Sequence, residues 1–238
     1  MLLFFVRHGD PIYDPDSLTP LGRRQAEALA KRLALYGVDE VIASRSVRAR
    51  QTAEPTAEVA KKDLQIVDWC REDIAWGEFT VEIEGGGRNW AFDTPRMIRL
   101  FNSPEIRALG QEWYTHPVFA GTAFESGIKR MRAEVDAFLS ARGYVHDAAT
   151  ASYRPEAHND KRVALFAHQG FGMAFLSTLL DIPYPLFCTH FDVAHSGLTV
   201  IELRPRDGMV IPRVLSLSND AHLYREGLPT KFQNRIYF

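Results

Sequence analysis

The sequence lacks long apolar runs, paired cysteines and a leading basic segment. No apolar run approaches the roughly 18 residues that a membrane-spanning helix requires, so we expect no membrane as a partner. The two cysteines, Cys70 and Cys188, lie far apart and match no metal-binding or redox spacing, which predicts a reduced, cytoplasmic location and no metal site. Residues 1–6 carry no basic group ahead of their apolar stretch, so we expect no signal peptide.

An excess of charge of either sign is also missing. The chain has 28 basic and 30 acidic residues and a net charge of −2, which offers no basis for nucleic acid as a partner. Only 6 of the 28 basic residues are lysine. Arginine suits planar recognition of phosphate or carboxylate, although codon usage explains the same bias. At 238 residues with 46% hydrophobic content, the chain is long enough to bury a sizeable core.

Strands and helices alternate towards both ends of the sequence. An apolar strand over residues 2–6 and a polar loop over 10–18 precede a helix that Thr19 and Pro20 begin and Gly37 ends. Further strands are predicted over residues 38–43, 66–69, 162–167, 198–203 and 210–217, and further helices over 48–60 and 171–180. Strands joined to helices by short connections predict a mostly parallel sheet with right-handed crossovers.

Residues 75–124 break this rhythm with a run of glycines and several short helix starts. We interpret them as a largely helical insertion over the carboxyl-terminal edge of the sheet. A longer helix is predicted near residues 128–139, residues 144–160 suit either a hairpin or a loose loop, and residues 219–238 show no clear period. The predicted fold is therefore α/β: one three-layer domain over residues 1–238, with a mostly parallel central sheet and helices on both faces.

Basic side chains follow three of the predicted strands. The first strand ends in Arg7 and His8, and a later strand is followed by His168. The second strand leads into a basic segment that contains Arg45, Arg48 and Arg50. Because the carboxyl ends of parallel strands lie at one edge of a sheet, we expect these side chains to meet there.

Cations that converge on one point need an anion between them, because their mutual repulsion is costly in a partly dry site. A phosphoryl group fits this requirement, since guanidinium forks match its oxygens in pairs. A neutral imidazole can attack phosphorus directly and form a phosphohistidine, provided that an acceptor holds the proton on its other ring nitrogen. The pattern therefore predicts phosphoryl transfer from a small phosphorylated substrate.

Several short motifs follow one another along the chain. They are Arg7-His8-Gly9, the segment Leu18 to Ala26, Ser44-x-x-x-Arg48-Ala49-x-Gln51-Thr52-Ala53, Glu125-Ser126, His168-x-Gly170 and Asn219-Asp220-x-His222-Leu223. In this order they resemble the motifs of the histidine phosphatase superfamily, the phosphoglycerate mutase-like proteins. The resemblance spans most of the chain and implies catalysis without a metal or other cofactor.

The resemblance also implies a role for each matching residue. It makes His8 the nucleophile that becomes phosphorylated, and it assigns Arg7, Arg48 and His168 to the phosphate pocket. Gln169 is a further candidate for contact with the substrate.

The proton donor to the leaving group should be a carboxylic acid, because a departing alkoxide needs a proton. The family takes this acid from the stretch after the third strand, four residues before a glycine. Register favours Asp73, which stands four residues before Gly77, whereas residue type favours Glu72. Glu125 could serve as the acid or contact the substrate, so the choice stays open on the sequence.

Departures from the family pattern narrow the expected function. Pro11 replaces a hydroxyl-bearing residue, so this loop should contact the substrate differently from the same loop of a mutase. Gln169 replaces the acid used by the acid phosphatase and phytase branch. The insertion has no tandem arginine pair, which favours a phosphomonoesterase over a phosphoglycerate mutase. A non-catalytic phospho-ligand-binding module is the third alternative, and a homo-oligomer is left open.

Overall fold

Alternating strands and helices build a central sheet in the computed structural model, which describes residues 1–230. The described strands are β1 (Leu2–Arg7), β2 (Pro11–Tyr13), β3 (Asp16–Leu18), β4 (Glu40–Ser44), β5 (Leu64–Val67), β6 (Thr80–Glu82), β7 (Arg88–Trp90), β8 (Tyr144–Asp147), β9 (Ser152–Pro155), β10 (Arg162–Ala167), β11 (Leu198–Glu202) and β12 (Arg213–Asn219). The described α-helices are α1 (Pro20–Tyr36), α2 (Val47–Ala60), α3 (Glu72–Phe79), α4 (Pro95–Phe101), α5 (Pro104–Ala108), α6 (Phe124–Ser140), α7 (Gln169–Leu179), α8 (Tyr184–His190) and α9 (Ala221–Arg225). Short 3₁₀ segments lie at Ala91–Asp93, Gly110–Thr115 and Pro117–Phe119.

The central sheet has the strand order β12-β11-β1-β10-β4-β5 within the described chain. Strands β1, β10, β4 and β5 run parallel to one another, whereas β11 is antiparallel to β1 and β12 is antiparallel to β11. The prediction of a mostly parallel sheet is confirmed. The carboxyl ends of four parallel strands consequently meet at one edge.

Helices cover both faces of this sheet, which confirms the predicted three-layer α/β domain. On one face, Phe4 of β1 packs in the same apolar cluster as Leu29 of α1 and Ala53 of α2. On the other face, Phe5 stacks on Phe171 of α7 with 6.4 Å between ring centroids. Because successive side chains of a strand point to opposite faces, β1 contributes to both cores and is held at the centre of the domain.

The start of α1 fixes the segment that follows β1. The hydroxyl oxygen of Thr19 accepts the Gly22 N–H at 3.0 Å, as the predicted N-cap requires, and Gly37 ends the helix with a φ of 71°. A Cβ atom at Gly22 would lie 2.2 Å from the carbonyl oxygen of Asp10, so only glycine permits this contact. The close approach places the loop after His8 directly against the helix.

Several segments differ from the sequence prediction. The stretch after β1, predicted as a loop, contains the short antiparallel hairpin β2–β3. Residues 144–160 contain the hairpin β8–β9, which was one of the two alternatives, and β12 begins at Arg213 instead of residue 210. Helices α3, α8 and α9 were not predicted, because helices of five to eight residues are too short for a clear helical period. The predicted aperiodic tail contains α9, and its last part, residues 231–238, lies outside the described residues.

Aromatic side chains join the segment between β5 and α6 to the sheet. Trp113 contacts Phe101, Phe119 and Phe124, with ring centroids 5.2 to 5.4 Å apart. These rings belong to the same apolar cluster as Phe5. Their role is structural, as is common for buried aromatic residues. No helix among residues 1–230 is both long enough and apolar enough to cross a lipid bilayer.

Candidate active site

Two histidines lie side by side at the carboxyl edge of the parallel strands. Arg7 and Ala167 are paired across β1 and β10, so the residues that follow them, His8 and His168, emerge next to each other. Their ring centroids are 5.3 Å apart, and the rings are inclined by 61°. The structure thus brings together the two histidines that the strand ends predicted.

The His8 ring is buried, and its contacts leave one nitrogen available. Nδ1 lies 2.8 Å from the carbonyl oxygen of Gly9, which makes Nδ1 the protonated donor and leaves the lone pair on Nε2. The N–H of Gly9 donates to Thr52 Oγ1 at 3.0 Å, and this hydroxyl donates to the carbonyl of Arg48 at 2.7 Å. Burial lowers the pKa of His8 well below its usual value, and neighbouring His168 and the two pocket arginines lower it further. The ring is therefore a neutral imidazole at neutral pH.

Two guanidinium groups flank the histidines. Arg7 donates from Nη1 to the carbonyl of Val193 at 2.7 Å. Arg48 donates from Nη1 to Asp16 at 2.8 Å, and its Nη2 lies 3.3 Å from Nδ1 of His168. In both arginines Nε is buried and has no hydrogen-bond partner among the described residues. Buried cationic donors without an acceptor are satisfied when an anion enters between them.

His168 is fully enclosed and held by hydroxyl groups. Its Nε2 lies 2.9 Å from Oγ of Ser44 and 3.2 Å from Oγ of Ser46. Burial lowers the pKa of His168 well below its usual value, and Arg48 and Arg7 lower it further. His168 is therefore also neutral in the free protein.

The two neighbouring candidate acids, Glu72 and Asp73, have different surroundings. Glu72 begins α3, and its carboxylate accepts the N–H groups of Gly170 and Phe171 at 2.8 and 2.7 Å, beside His168 at the start of α7. Burial raises the pKa of Glu72, against the effect of these two N–H donors. The Asp73 side chain is 63% exposed and bonds to Arg71 at 2.9 Å, a contact that lowers its pKa. Only Glu72 lies with the histidines.

The two remaining candidates lie at different distances from this cluster. Gln169 follows His168 and donates from Nε2 to Asp192 at 2.5 Å, at the exposed rim of the pocket. The side chain of Glu125 is 58% exposed and pairs with Lys129 at 2.6 Å on the surface of α6. The structure does not bring Glu125 to the histidines.

Two residues beside the site, His195 and Asp16, were not predicted from the sequence. The ring of His195 lies 5.4 Å from that of His8, and its Nδ1 is 3.9 Å from the carboxylate of Asp10. His195 precedes β11, which is antiparallel to β1, so the amino end of β11 reaches the same edge as the carboxyl end of β1. Asp16, in the unpredicted hairpin, holds both Arg48 and the N–H of Val47. The alternation of β11 was visible in the sequence, but its direction was not.

A second layer of contacts braces the end of β1. The N–H of Ser196 donates to the carbonyls of Arg7 and His8 at 3.1 Å each, and Oγ of Ser196 lies 2.8 Å from Nε2 of His222. Burial, aided by Arg32, lowers the pKa of His222 to about 4. His222 is therefore neutral at neutral pH. It contacts Ser196, whose N–H bonds to the end of β1, and so supports the position of Arg7 and His8.

Comparison with known proteins gives a family match for the amino-terminal third of the chain and similar folds for most of its length. Residues 3–85 match the model of the histidine phosphatase superfamily (branch 1), a range that contains Arg7, His8, Arg48 and Glu72. A curated relative, the PE-PGRS family protein PE_PGRS11 of Mycobacterium tuberculosis, is 25% identical over 225 residues. This alignment covers 89% of the chain but only 36% of the relative, so the chain spans about a third of that protein's length.

Solved structures of similar fold include two phosphatases. Phosphoserine phosphatase from Entamoeba histolytica, in complex with phosphoserine, has a TM-score of 0.59 at 16% identity, over 93% of this chain and 98% of the other. The same enzyme has been solved with 3-phosphoglyceric acid. Mycobacterial glucosyl-3-phosphoglycerate phosphatase with VO3 has a TM-score of 0.56 at 20% identity, over 90% and 97% of the two chains.

At these identities the structural matches establish the fold alone. The family model adds the sequence motif around the first histidine, within the fold described above. The amino-terminal third of the chain thus matches the histidine phosphatase superfamily (branch 1), and the fold of the described chain is similar to the folds of these phosphatases.

Proposed function

We propose that the chain is a metal-independent phosphomonoesterase, a phosphoric monoester hydrolase that acts on a small phosphorylated metabolite through a phosphohistidine. The observation that carries this proposal is the state of His8: a buried, neutral imidazole whose Nδ1 is fixed by the Gly9 carbonyl. Such a ring presents the lone pair of Nε2 as a nucleophile. Arg7, Arg48 and His168 surround it with groups that suit phosphoryl oxygens.

In the first step, Nε2 of His8 attacks phosphorus, the N–P bond forms and the bond to the leaving oxygen breaks. Glu72 gives its proton to that oxygen, which leaves as an alcohol. Its raised pKa suits this role, because it keeps more of the carboxyl protonated. The charge on the equatorial oxygens is stabilised by the buried guanidinium groups of Arg7 and Arg48.

In the second step, the Glu72 carboxylate removes a proton from water, and the water oxygen attacks phosphorus. The N–P bond breaks, inorganic phosphate leaves, and both residues return to their starting state. Transfer is completed by side chains alone: arginines supply the charge that metals supply in other phosphatases. The comparisons support a small phosphorylated substrate, since structures of similar fold hold phosphoserine and 3-phosphoglyceric acid.

The test uses the purified chain with a panel of phosphomonoesters. We expect release of phosphate that a chelator does not reduce, and ³²P labelling of the protein that is stable to alkali and labile to acid. His8→Ala should abolish both turnover and labelling while its circular dichroism stays that of wild type. Turnover retained in His8→Ala would refute the mechanism, and loss of activity with the chelator would indicate a metal enzyme.

Two further outcomes correspond to the alternative functions. Incubation with 3-phosphoglycerate and a bisphosphate primer separates release of phosphate from interconversion of the phosphoglycerate isomers, which would indicate a mutase. Binding of phosphate without labelling or turnover of any ester would indicate a non-catalytic phospho-ligand-binding module.

A further inference from the structure

Two serine hydroxyls converge on one nitrogen of His168. Ser44 ends β4, and Ser46 occupies the position before α2 where a serine normally caps the helix. The Ser46 side chain makes no capping bond within the described chain, and at this helix start the carboxylate of Asp16 accepts the N–H of Val47 at 2.7 Å. The Ser46 hydroxyl is thereby available to His168, and both serines lie within 3.2 Å of its Nε2.

The other nitrogen of the ring faces a donor. Nη2 of Arg48 lies 3.3 Å from Nδ1 of His168, and a guanidinium group can only donate. Nδ1 must therefore carry the lone pair, and the proton must lie on Nε2, which donates to the hydroxyl oxygen of Ser44. Serine can accept this bond, whereas arginine could not, so the two contacts together are compatible with one neutral tautomer.

This tautomer fits the contacts that the protein makes with the ring, but it does not fit an oxyanion at Nδ1. A dianionic oxygen placed beside Arg48 would meet the lone pair of Nδ1, and two acceptors repel each other. Arg7 and Arg48 offer donors to the same oxygens, and the neutral ring of His8 stands 5.3 Å away. Glu72 bonds to backbone N–H groups that follow His168 in the chain. Further ionisable groups lie behind these neighbours: Asp16 on Arg48, His195 beside His8 and Cys70 beside Ser44.

We propose that Ser44 and Ser46 are positioning residues that fix His168 as its Nε2–H tautomer, and that an oxyanion entering the pocket brings one proton onto Nδ1. The proton comes from solvent, or from the monoanionic form of the ester. One N–H bond forms on the ring as one O–H bond breaks, either in a solvent acid or in the ester monoanion. His168 then donates from both nitrogens, to serine on one side and to the phosphoryl oxygen on the other. This inference rests on the proposed function for the identity of the pocket.

A measurable linkage between pH and binding follows. Burial and two arginines keep free His168 neutral at neutral pH, so each bound dianion must draw one proton from solution. The affinity for a dianion that does not itself titrate should therefore fall about tenfold for each unit of rising pH.

Sulfate is the probe, because it remains a dianion at neutral pH and undergoes no chemistry in the pocket. Calorimetric titration in two buffers of different ionisation enthalpy gives the number of protons taken up for each sulfate bound. We expect about one proton for the wild type and none for His168→Gln. Absence of proton uptake in the wild type, or uptake unchanged in His168→Gln, would overturn the proposal.

Three variants decide where the proton goes. His8, Glu72 and His195 are other ionisable acceptors at the pocket, so His8→Asn, Glu72→Gln and His195→Gln should each retain uptake of about one proton. Loss of uptake in any one of these variants would place the proton on that residue and contradict the proposal. Sulfate is not hydrolysed, so these results hold whether or not His8 becomes phosphorylated. Failure of the phosphohistidine mechanism would be seen only in the labelling experiment.

The serines are tested by the tautomer itself. In ¹⁵N spectra of histidine-labelled protein, the wild-type His168 signal should be that of the Nε2–H form. Combined Ser44→Ala and Ser46→Ala changes remove the acceptor of Nε2–H and leave Arg48 alone to hold the tautomer, so the Nδ1–H form should become detectable beside the Nε2–H form. Ser46→Thr, which keeps the hydroxyl, should preserve the wild-type signal. Ser177→Ala, a buried serine at the far end of α7, is the matched control for a lost buried hydroxyl. An unchanged tautomer in the double variant would refute the role of the serines.

Discussion

Replacing Glu72 with glutamine removes the proton that the proposed first step gives to the leaving oxygen. The amide oxygen can still accept an N–H bond at the start of α7, where Glu72 accepts those of Gly170 and Phe171 at 2.8 and 2.7 Å. The fold should therefore survive the change. General acids typically contribute about 10²–10⁴-fold to a rate, so we expect kcat for an alkyl phosphate such as phosphoserine to fall by about that factor.

The leaving group distinguishes loss of an acid from loss of structure. p-Nitrophenolate is a stable anion that needs little protonation as it departs, so Glu72→Gln should lower kcat for p-nitrophenyl phosphate far less than for phosphoserine. The ratio of the two kcat values, measured by phosphate release, is the assay. Asp73→Asn is the matched control, because Asp73 is exposed and pairs with Arg71 away from the histidines. In this variant, kcat should be unchanged for both substrates.

The pH dependence gives a second readout of the same change. Burial raises the pKa of Glu72, and only its protonated form can donate. Cleavage of phosphoserine should therefore decline as pH rises through that raised pKa, and this decline should be absent in Glu72→Gln. An equal loss for both substrates, or a similar loss in Asp73→Asn, would refute the assignment of Glu72 as the acid.

Three further predictions concern the support of the site. Asp16→Ala removes the acceptor at the start of α2, so urea unfolding should show a loss of about 1–2 kcal/mol together with a raised KM; an unchanged KM would contradict its role in the pocket. Gly170→Ala would put a Cβ 2.1 Å from the Trp90 ring and should cost about 1–3 kcal/mol with altered tryptophan fluorescence, whereas Gly77→Ala has open space and should cost nothing. The pKa of His222 falls to about 4, so the neutral buried ring stabilises the fold above its unfolded pKa of about 6.5, and up to about 3 kcal/mol should be lost as pH falls towards 4. His222→Gln should flatten this pH dependence of urea unfolding, and an unchanged slope would exclude His222 as its source.

The residues that the sequence predicted best are those that directly follow parallel strands. Arg7, His8 and His168 come after apolar runs, and a residue in that position lies at the sheet edge whatever the helices do. Local pattern therefore sufficed to predict that they meet. Arg48 needed one more step, because it lies in the first turn of α2 and not at a strand end, and the resemblance to the family selected it from the basic segment.

The choice between Glu72 and Asp73 depends on the direction of a side chain on a short helix, which a local sequence pattern does not predict. Successive residues of a helix differ in direction by about 100°, so a shift of one position turns a buried acid into an exposed one. The sequence indicated neither α3 nor its start, and register pointed to Asp73. The structure begins α3 at Glu72 and aims this carboxylate at the start of α7, which lies about a hundred residues further along the chain.

Contacts between distant segments account for the remaining omissions. Asp16 reaches Arg48 only because the segment after β1 folds into a hairpin, and prolines had made that segment look like a loop. His195 meets His8 only because β11 runs antiparallel to β1. Neither the pairing of a short hairpin nor the direction of an edge strand is encoded in a hydrophobic period.

The hydrogen-bond partners of His8 and His168 are uncharged, whereas that of Arg48 is a carboxylate, and this difference helps to keep both imidazoles neutral. A carboxylate bonded to an imidazole favours the protonated form, whereas a carbonyl or hydroxyl fixes the tautomer without adding charge. The structure gives His8 a backbone carbonyl and gives His168 two serines, while the carboxylate of Asp16 lies on Arg48. An arginine keeps its charge beside a carboxylate, so the acid there orients a cation at no cost to nucleophilicity. Moving one carboxylate to a histidine would protonate the ring and remove the lone pair on which the proposed attack depends.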